Sequence, residues 1–354
     1  MKIKINDDKY NYTYCFDTEL GFYFRSNIIK DNRITDEDPF MSSFPHLIDV
    51  GIMGECKTGL LGLCAKSGIR CYQEGSFVKK PNMRYEDFKR ICEECNNRAL
   101  QFALGGRGDP DTHPDFMEIL ACCKDYNITP NITTSGLYID DDKAALCKKY
   151  CGAVAVSWHN AKYTLSAINT LIRHNVRTNV HFVLDVDSIK VAINLLESNG
   201  FPKGINAIIF LLFKPVQKES NSKCIKPFDC NLDKFFEVIN TKSFPFKIGF
   251  DSCSVPAVIR YMKIEPSVID ACEAGRFSCY IDPELSMTPC SFDTSGQYAE
   301  SLKESSIEDV WNGEKFNGFR KSFLSACPDC IHRSVCLGGC HLYDSINLCC
   351  ERSK

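Results

Sequence analysis

Apolar and polar positions in the first two-thirds of the chain alternate between two patterns. Short apolar runs typical of buried strands are separated by longer stretches whose apolar residues recur at helical spacing. The strand-like runs lie at 47–53, 99–105, 128–133, 152–157, 176–184 and 206–213. Strands that alternate with helices predict βαβ units and a parallel sheet, arranged as a partial or full barrel or as an open doubly wound sheet. In all of these folds ligands bind at the carboxyl ends of the strands.

The two ends of the chain depart from this alternation. Aromatic residues around the segment Asp17-Thr18-Glu19-Leu20-Gly21 predict a β-hairpin, followed by a polar linker. Beyond about residue 246 the sequence predicts cysteine-rich loops with short strands and helices. We therefore predict three parts: an N-terminal β-hairpin and linker over 1–44, an α/β core over 45–245 and a cysteine-rich domain over 246–354.

Charge and hydropathy exclude several classes of protein. The 42 basic and 45 acidic residues give a formal net charge of −3, so no basic field for nucleic acid is expected. The longest strongly apolar run, 207–213, is far shorter than the ~20 residues of a membrane span. The first residues contain no apolar signal core. We expect a cytoplasmic protein with no nucleic-acid or membrane partner.

Cysteine is unusually abundant, with 22 residues, of which ten lie between Cys253 and Cys350. In a reducing compartment, clustered cysteines more often hold metal or do chemistry than form disulfides. Cys56, Cys64 and Cys71 follow the first predicted strand with the spacing C-x7-C-x6-C, in a glycine-rich loop. Three thiolates on a 4Fe–4S cluster would leave one iron open to a ligand, as in a catalytic metal site. Three unrelated thiols are the alternative.

The second predicted strand ends in Gly105-Gly106-Arg107-Gly108-Asp109-Pro110. Glycines at a strand end let backbone N–H groups approach a ligand closely, and an aspartate can accept a hydrogen bond from an ammonium group. A tight turn between strand and helix is the simpler explanation of this segment alone. Its position, one strand after the cysteine loop, favours the ligand-binding role.

A second group of cysteines lies near the end of the chain. Its central members have the spacing C-x2-C-x5-C-x3-C, Cys272 and Cys290 lie upstream, and the pair Cys349-Cys350 lies downstream. The central members are Cys327, Cys330, Cys336 and Cys340. Alone, this block fits a zinc site as well as an iron–sulfur cluster.

Taken together, these motifs resemble the radical S-adenosylmethionine (SAM) superfamily with its SPASM extension. The cysteine loop resembles the cluster loop, the Gly105-Gly106 turn resembles the "GGEP" turn, and Ser157 lies at the strand that contacts ribose and methionine. The chain departs from the pattern in its longer cysteine gaps, in Tyr72 after the last cysteine rather than before it, in the additional Arg107-Gly108, and in Leu285 where a glycine is usual. The resemblance implies a partial (β/α)6 barrel of the radical SAM type with a C-terminal SPASM domain. It implies that Gly105, Gly106 and Asp109 hold the methionine amino group and that Ser157 is a polar contact.

The resemblance also implies three 4Fe–4S clusters, one that binds SAM and two auxiliary ones. The SAM-binding cluster would use Cys56, Cys64 and Cys71. One auxiliary cluster would use Cys272, Cys290 and Cys340, with Cys253 as fourth ligand and Cys279 as the alternative. The other would use Cys327, Cys330 and Cys336, with Cys349 or Cys350. Clusters with four thiolates suit electron transfer.

The function implied is reductive cleavage of SAM to a 5′-deoxyadenosyl radical, which abstracts a hydrogen atom and leads to oxidative modification of a peptide. A ribosomal peptide maturase that forms a thioether or carbon crosslink is the first expectation, with a flavodoxin or ferredoxin as one-electron reductant. The alternatives are a sulfatase-type maturase that oxidises a Cys or Ser side chain, and a non-enzymatic zinc or iron–sulfur protein. The N-terminal hairpin would cover the barrel or dock a peptide strand by edge pairing. No catalytic base is assigned, because Asp185 and Asp187 are expected to cap a helix and His159 and His181 to line a wall.

Overall fold

This computed structural model describes residues 2–68, 71, 73, 77–216, 218–265 and 268–349. The chain begins with antiparallel strands. A three-stranded meander is followed by a small hairpin. The meander consists of β1 (Lys2–Asp7), β2 (Tyr12–Asp17) and β3 (Phe22–Arg25), and the hairpin of β4 (Ile29–Lys30) and β5 (Arg33–Ile34). The β2–β3 turn begins at Asp17, whose carboxylate accepts from the Glu19 and Leu20 amides, and it lies where the sequence predicts a hairpin. The β4–β5 hairpin lies in the segment that the sequence predicts as a linker. Strands of two residues are too short to show the alternation of apolar and polar positions from which strands are predicted.

A ten-stranded sheet forms the core, in the order β12-β11-β10-β9-β8-β7-β6-β13-β14-β15. Its strands are β6 (Leu47–Met53), β7 (Gln101–Gly106), β8 (Thr129–Thr134), β9 (Val154–Ser157), β10 (Thr178–Leu184), β11 (Ala207–Leu212), β12 (Lys247–Phe250), β13 (Ser278–Ile281), β14 (Ser286–Thr288) and β15 (Glu300–Ser301). The pairs from β12 through to β13 are parallel, and β14 and β15 add antiparallel strands at that edge. The six predicted strands are all present. The sheet also continues through residues 247–301, across the boundary predicted after residue 245.

Helices connect consecutive strands of the barrel and pack on the outer face of the sheet, and further helices lie in the loop after β6 and in the C-terminal part. They are α1 (Lys57–Leu60), α2 (Leu63–Lys66), α3 (Tyr85–Cys95), α4 (Phe116–Asp125), α5 (Asp141–Tyr150), α6 (Lys162–Arg173), α7 (Ser188–Glu197), α8 (Cys230–Thr241), α9 (Val255–Tyr261), α10 (Ile307–Asn312), α11 (Glu314–Ser325) and α12 (Arg333–Cys336). The apolar spacing of α6 places Ala167, Ile168 and Leu171 on one buried face. Cys92, Cys95, Cys122, Cys123 and Cys147 are buried on such faces as small apolar residues.

The sheet curls so that strands distant in its order face one interior. Asp49 of β6, Val183 of β10 and Phe250 of β12 line a single cavity of about 880 Å³. This confirms the partial barrel predicted for the core. Among the described residues, no helix combines the length and apolar character that a membrane crossing requires.

The N-terminal meander closes the end of the barrel opposite the carboxyl ends of its strands. Its aromatic rings are buried against His46, Leu100 and Phe277, which directly precede β6, β7 and β13. The Tyr14 ring stacks on His46 with centroids 3.6 Å apart, and the Tyr12 hydroxyl is hydrogen-bonded to the imidazole Nε2 at 3.0 Å. The meander therefore covers this end of the barrel, which is one of the two roles expected for it, and docking of a peptide strand stays a prediction.

Candidate functional site

Three thiols lie at the carboxyl end of β6, where its loop crosses the open end of the barrel. Cys56 caps α1, with its sulfur 3.1 Å from the Gly59 amide, Cys64 lies in α2, and Cys71 follows. All three line one cavity of about 370 Å³ and are within electrostatic reach of one another. Burial raises the pKa of Cys56 to about 11 and that of Cys64 to about 12, so a bound metal must displace their protons. Tyr72 lies outside the described residues.

The glycine turn after β7 packs directly against this loop. A Cβ at Gly106, which has φ +100, would lie 2.7 Å from Gly51 Cα, and one at Gly108 would lie 2.1 Å from the Glu55 carbonyl oxygen. A side chain at either position would therefore separate the turn from the cysteine loop. At Gly105, by contrast, a Cβ would contact nothing within 4 Å, so the backbone there faces open space in the cavity.

Arg107, one of the two additional residues in the turn, binds the ends of the cysteine loop. Its Nε donates to the Gln73 carbonyl at 2.8 Å, and its Nη1 donates to the Gly54 carbonyl at 3.2 Å. The sequence identifies Arg107 only as a departure from the family pattern. Its role follows from another departure, the longer gaps between the three cysteines, because a longer cysteine loop needs an additional support.

Asp109 lines the same cavity, but its carboxylate is already occupied by protein donors. The Thr58 hydroxyl donates to it at 2.6 Å, and Ser135 donates through its amide at 2.6 Å and its hydroxyl at 2.8 Å. These bonds fasten α1 to the end of β8, so Asp109 positions the cysteine loop. Its contact with a methionine ammonium stays a prediction. Thr58 and Ser135 belong to the site although no motif in the sequence points to them.

The cavity thus combines all the residues predicted for the SAM site. They are Cys56, Cys64, Cys71, Gly105, Gly106, Asp109 and Ser157. His159 and His181 line its wall, as expected, and burial lowers the pKa of both, to about 4 for His181. Both imidazoles are therefore neutral at physiological pH.

Four further thiols meet where the C-terminal part packs on the barrel. Cys253, Cys272 and Cys290 line the 880 Å³ cavity, and Cys340 hydrogen-bonds to Cys253 and lies within electrostatic reach of Cys272. Cys279 also lines this cavity, but its charged neighbours are Asp49 and Arg320. The geometry therefore groups Cys253, rather than Cys279, with the other three.

The remaining predicted ligands form a third group. Cys327, Cys330, Cys336 and Cys349 line a small cavity of about 50 Å³, and Cys336 is within electrostatic reach of Cys327 and Cys349. Cys350 lies outside the described residues.

The three groups offer the numbers of thiols that 4Fe–4S clusters take, three in one cavity and four in each of the other two groups. In the part of the chain that the structure describes, no three His, Cys, Asp or Glu side chains lie close enough to bind one metal ion. On a 4Fe–4S cluster, a group of three thiols would leave one iron open to a ligand, and a group of four would leave none.

Comparisons with known proteins agree with this arrangement. Residues 272–331 match the model of SPASM, an iron–sulfur cluster-binding domain. The structure of Streptococcus suis SuiB bound to precursor peptide SuiA superposes with a TM-score of 0.67 at 16% identity, covering 96% of this chain and 94% of that one. The chain has the radical SAM fold and carries a SPASM domain.

Two further proteins are similar to this chain, one in structure and one in sequence. Native anSMEcpe with bound AdoMet superposes on this chain with a TM-score of 0.59 at 16% identity, covering 84% of this chain and 89% of that one. Mycofactocin maturase MftC of Mycobacterium ulcerans (strain Agy99) is 21% identical over 334 residues, 85% of each chain.

The N-terminal meander supports the SPASM thiols through Arg25. This largely buried guanidinium pairs with Asp270 at 2.8 Å and Glu273 at 3.2 Å, on either side of Cys272, and lies 4.0 Å from the centre of the Phe277 ring. The stability that such a pair contributes to the fold lies between the ~0–1 kcal/mol of an exposed ion pair and the ~3–5 kcal/mol that is lost when a buried ion pair is broken. Arg25 therefore holds the loop that presents Cys272.

Arg25→Met is expected to lower the melting temperature and to remove about four of about 12 iron atoms, because Cys272 loses its support. Iron analysis and electron paramagnetic resonance of anaerobically purified protein measure this loss. Lys30→Met, which breaks the exposed Lys30–Glu37 pair in the same region, is the matched control and should retain all iron. Full iron content in Arg25→Met would show that the loop does not depend on this residue.

Asp49 is a polar residue of the interior that the sequence did not identify. It lies in the middle of β6, lines both the 370 Å³ and the 880 Å³ cavities, and makes no hydrogen bond or ion pair with the described residues. Its side chain is exposed to the space of these cavities, and desolvation by the barrel walls around it raises its pKa to about 6. Asp185 takes the capping role predicted for it, since its carboxylate accepts from the Ser188 amide at the start of α7. Asp187 precedes α7 but makes no side-chain capping bond, and it pairs with Lys223.

Proposed function

We propose that this protein is a radical SAM enzyme that oxidatively modifies a peptide. The observation that carries the proposal is the 370 Å³ cavity, where three thiols face the glycine turn at the carboxyl ends of the parallel strands. Two relatives support the substrate class: SuiB was solved with its precursor peptide, and MftC is named a maturase. The modification proposed is a thioether or a carbon crosslink.

Within the cavity, the backbone of Gly105 and Gly106 would hold the methionine end of SAM, with Ser157, which lines the same cavity, as a polar contact. When bound, SAM and the cluster supply a carbon radical that removes a hydrogen atom from the substrate. The chain's own contribution is to fix the loop of Cys56, Cys64 and Cys71 through Asp109 and Arg107 and to close the far end of the barrel.

Asp49 is placed to act as the proton acceptor of the oxidation. After loss of a hydrogen atom, a substrate reaches a stable two-electron oxidised product by giving up one more electron and one proton. Asp49 lies between the SAM cavity and the cavity of Cys253, Cys272 and Cys290, and it has no protein partner among the described residues. A carboxylate with a pKa of about 6 is ionised at neutral pH and can take that proton.

A third cavity offers the peptide a route to this point. It has a volume of about 520 Å³ and a polar lining that includes Lys80, Asp282 and Asp293. Tyr280 and Ser291 line this cavity and both of the others, so the three spaces meet at these residues. We place the peptide in the polar cavity, with its reacting side chain at the meeting point.

The two SPASM thiol groups complete the proposal as auxiliary 4Fe–4S clusters. Cys253, Cys272, Cys290 and Cys340 would hold one, and Cys327, Cys330, Cys336 and Cys349 the other. Closed clusters suit electron transfer, and a flavodoxin or ferredoxin would supply the electron that starts the reaction.

The test uses anaerobically purified full-length protein. We expect brown protein with about 12 iron atoms that converts SAM to 5′-deoxyadenosine when reduced with dithionite. Mass spectrometry of peptides encoded by short reading frames beside the gene should show a loss of hydrogen with a new crosslink. Colourless protein with stoichiometric zinc would contradict the proposal, and oxidation of a Cys or Ser side chain without a crosslink would favour a sulfatase-type maturase.

A further inference from the structure

A buried lysine lies beside the first group of SPASM thiols. Lys214 follows β11, its side chain is 7% exposed, and it lines the 880 Å³ cavity together with Cys253, Cys272 and Cys290. Its ammonium pairs with Asp251 and lies 4.9 Å from the centre of the Phe292 ring. A lysine is rarely buried this deeply without a specific reason, because removing its charge from water is costly.

The charge of Lys214 reaches the sulfurs that surround it. The ammonium stabilises the ionised form of both Cys253 and Cys290. Asp251, which pairs with Lys214, acts in the opposite direction on Cys253. The ammonium therefore adds a positive contribution to the electrostatic potential at both sulfurs, and Asp251 offsets part of it at Cys253.

A fixed positive charge next to a cluster favours its reduced state. A cluster with four thiolates gains negative charge when it accepts an electron, and in a low-dielectric site an ammonium group stabilises that added charge. Charge and hydrogen bonds near a cluster are among the features by which a protein sets its reduction potential.

We propose that Lys214 raises the reduction potential of the auxiliary cluster held by Cys253, Cys272, Cys290 and Cys340, so that this cluster accepts the electron released by substrate oxidation. The inference rests on the proposed function, since it requires that cluster. In the oxidation, the substrate C–H bond breaks and its hydrogen atom forms a new C–H bond in 5′-deoxyadenosine. The substrate radical then loses one proton to Asp49 and one electron to the cluster, so atoms and charges balance.

Redox titration with dithionite, followed by electron paramagnetic resonance, tests the inference without any peptide. In Lys214→Met the equilibrium constant for reduction of this cluster is expected to fall about tenfold, or about 59 mV for a one-electron couple. Lys214→Arg keeps the charge and should stay near the wild-type potential. Asp251→Asn removes the opposing charge and should shift the potential upward.

Two controls separate the electrostatic effect from a structural one. Lys234→Met breaks an exposed pair between Lys234 and Glu197 and should leave the potential unchanged. The SAM-binding cluster, measured in the same samples, should also keep its potential. If Lys214→Met loses iron, then Lys214→Arg and Asp251→Asn decide the matter by the size and sign of their shifts.

The results distinguish failure of the inference from failure of the proposed function. An unchanged potential in Lys214→Met with full iron content would overturn the inference alone, as would a downward shift in Asp251→Asn. Wild-type protein without any auxiliary cluster signal would overturn both the cluster assignment and the role of Lys214.

Discussion

Replacing Cys56, Cys64 and Cys71 together with Ala is expected to lower the iron content from about 12 to about 8 atoms and to abolish 5′-deoxyadenosine formation. The three thiols share one cavity, and the two SPASM groups lie elsewhere and do not depend on them. Without the open cluster, SAM has no iron to bind and no source of the electron that cleaves it. Iron analysis and chromatography of the SAM reaction measure both outcomes.

The matched control replaces three thiols that are buried outside these groups. Cys92, Cys123 and Cys147 pack on the helical face of the sheet, and their replacement by Ala should leave iron content and SAM cleavage intact. Production of 5′-deoxyadenosine by the Cys56, Cys64 and Cys71 variant would show that the SAM cluster is held by other residues.

Asp49→Asn is expected to slow product formation by about 10²–10⁴-fold while SAM cleavage continues, because asparagine has nearly the same shape but cannot accept the proton. The ratio of 5′-deoxyadenosine to modified peptide should therefore rise. Liquid chromatography with mass detection, on the peptide that the wild-type protein converts, measures this ratio.

The pH dependence gives a second measure of the same residue. The pKa of Asp49 is raised to about 6, so the carboxylate is ionised and active above that pH and becomes protonated and inactive below it. Wild-type product formation should rise with pH through about 6, whereas the residual rate of Asp49→Asn should not. Asp142→Asn is the control, since Asp142 is an exposed carboxylate in the first turn of α5 that lines none of the three cavities. Parallel loss of SAM cleavage and product in Asp49→Asn would contradict a role as proton acceptor.

The alternation of apolar runs is sufficient to predict the six central strands, but not the strands that extend the sheet. β12 and β13 have four residues each, and β13 pairs with β6 across more than two hundred positions of the chain, which local pattern cannot detect. The resemblance to a family was needed to associate Cys340 with Cys253 and Cys272. Spacing alone would group Cys340 with Cys336, its neighbour in the sequence.

Asp49 shows a different limit of sequence reasoning. Strands of a parallel sheet are covered on both faces, so their sequences carry no alternation that marks which side chains enter the interior. An acidic residue between Ile48 and Val50 is the only signal, and its meaning depends on the curl of the sheet. The same holds for Thr58 and Ser135, whose hydroxyls become part of the site only because α1 and β8 meet at Asp109.

The single guanidinium that joins Gly54 to Gln73 has a consequence for how this protein can diversify. The two carbonyl groups stand two residues before Cys56 and two after Cys71, so one side chain brackets the whole segment. The length of the segment can therefore change without moving its two ends. Loops tolerate insertions at small entropic cost. Evolution can lengthen or rewrite the intervening residues, and with them the surface presented to a substrate, while the anchor points stay in register.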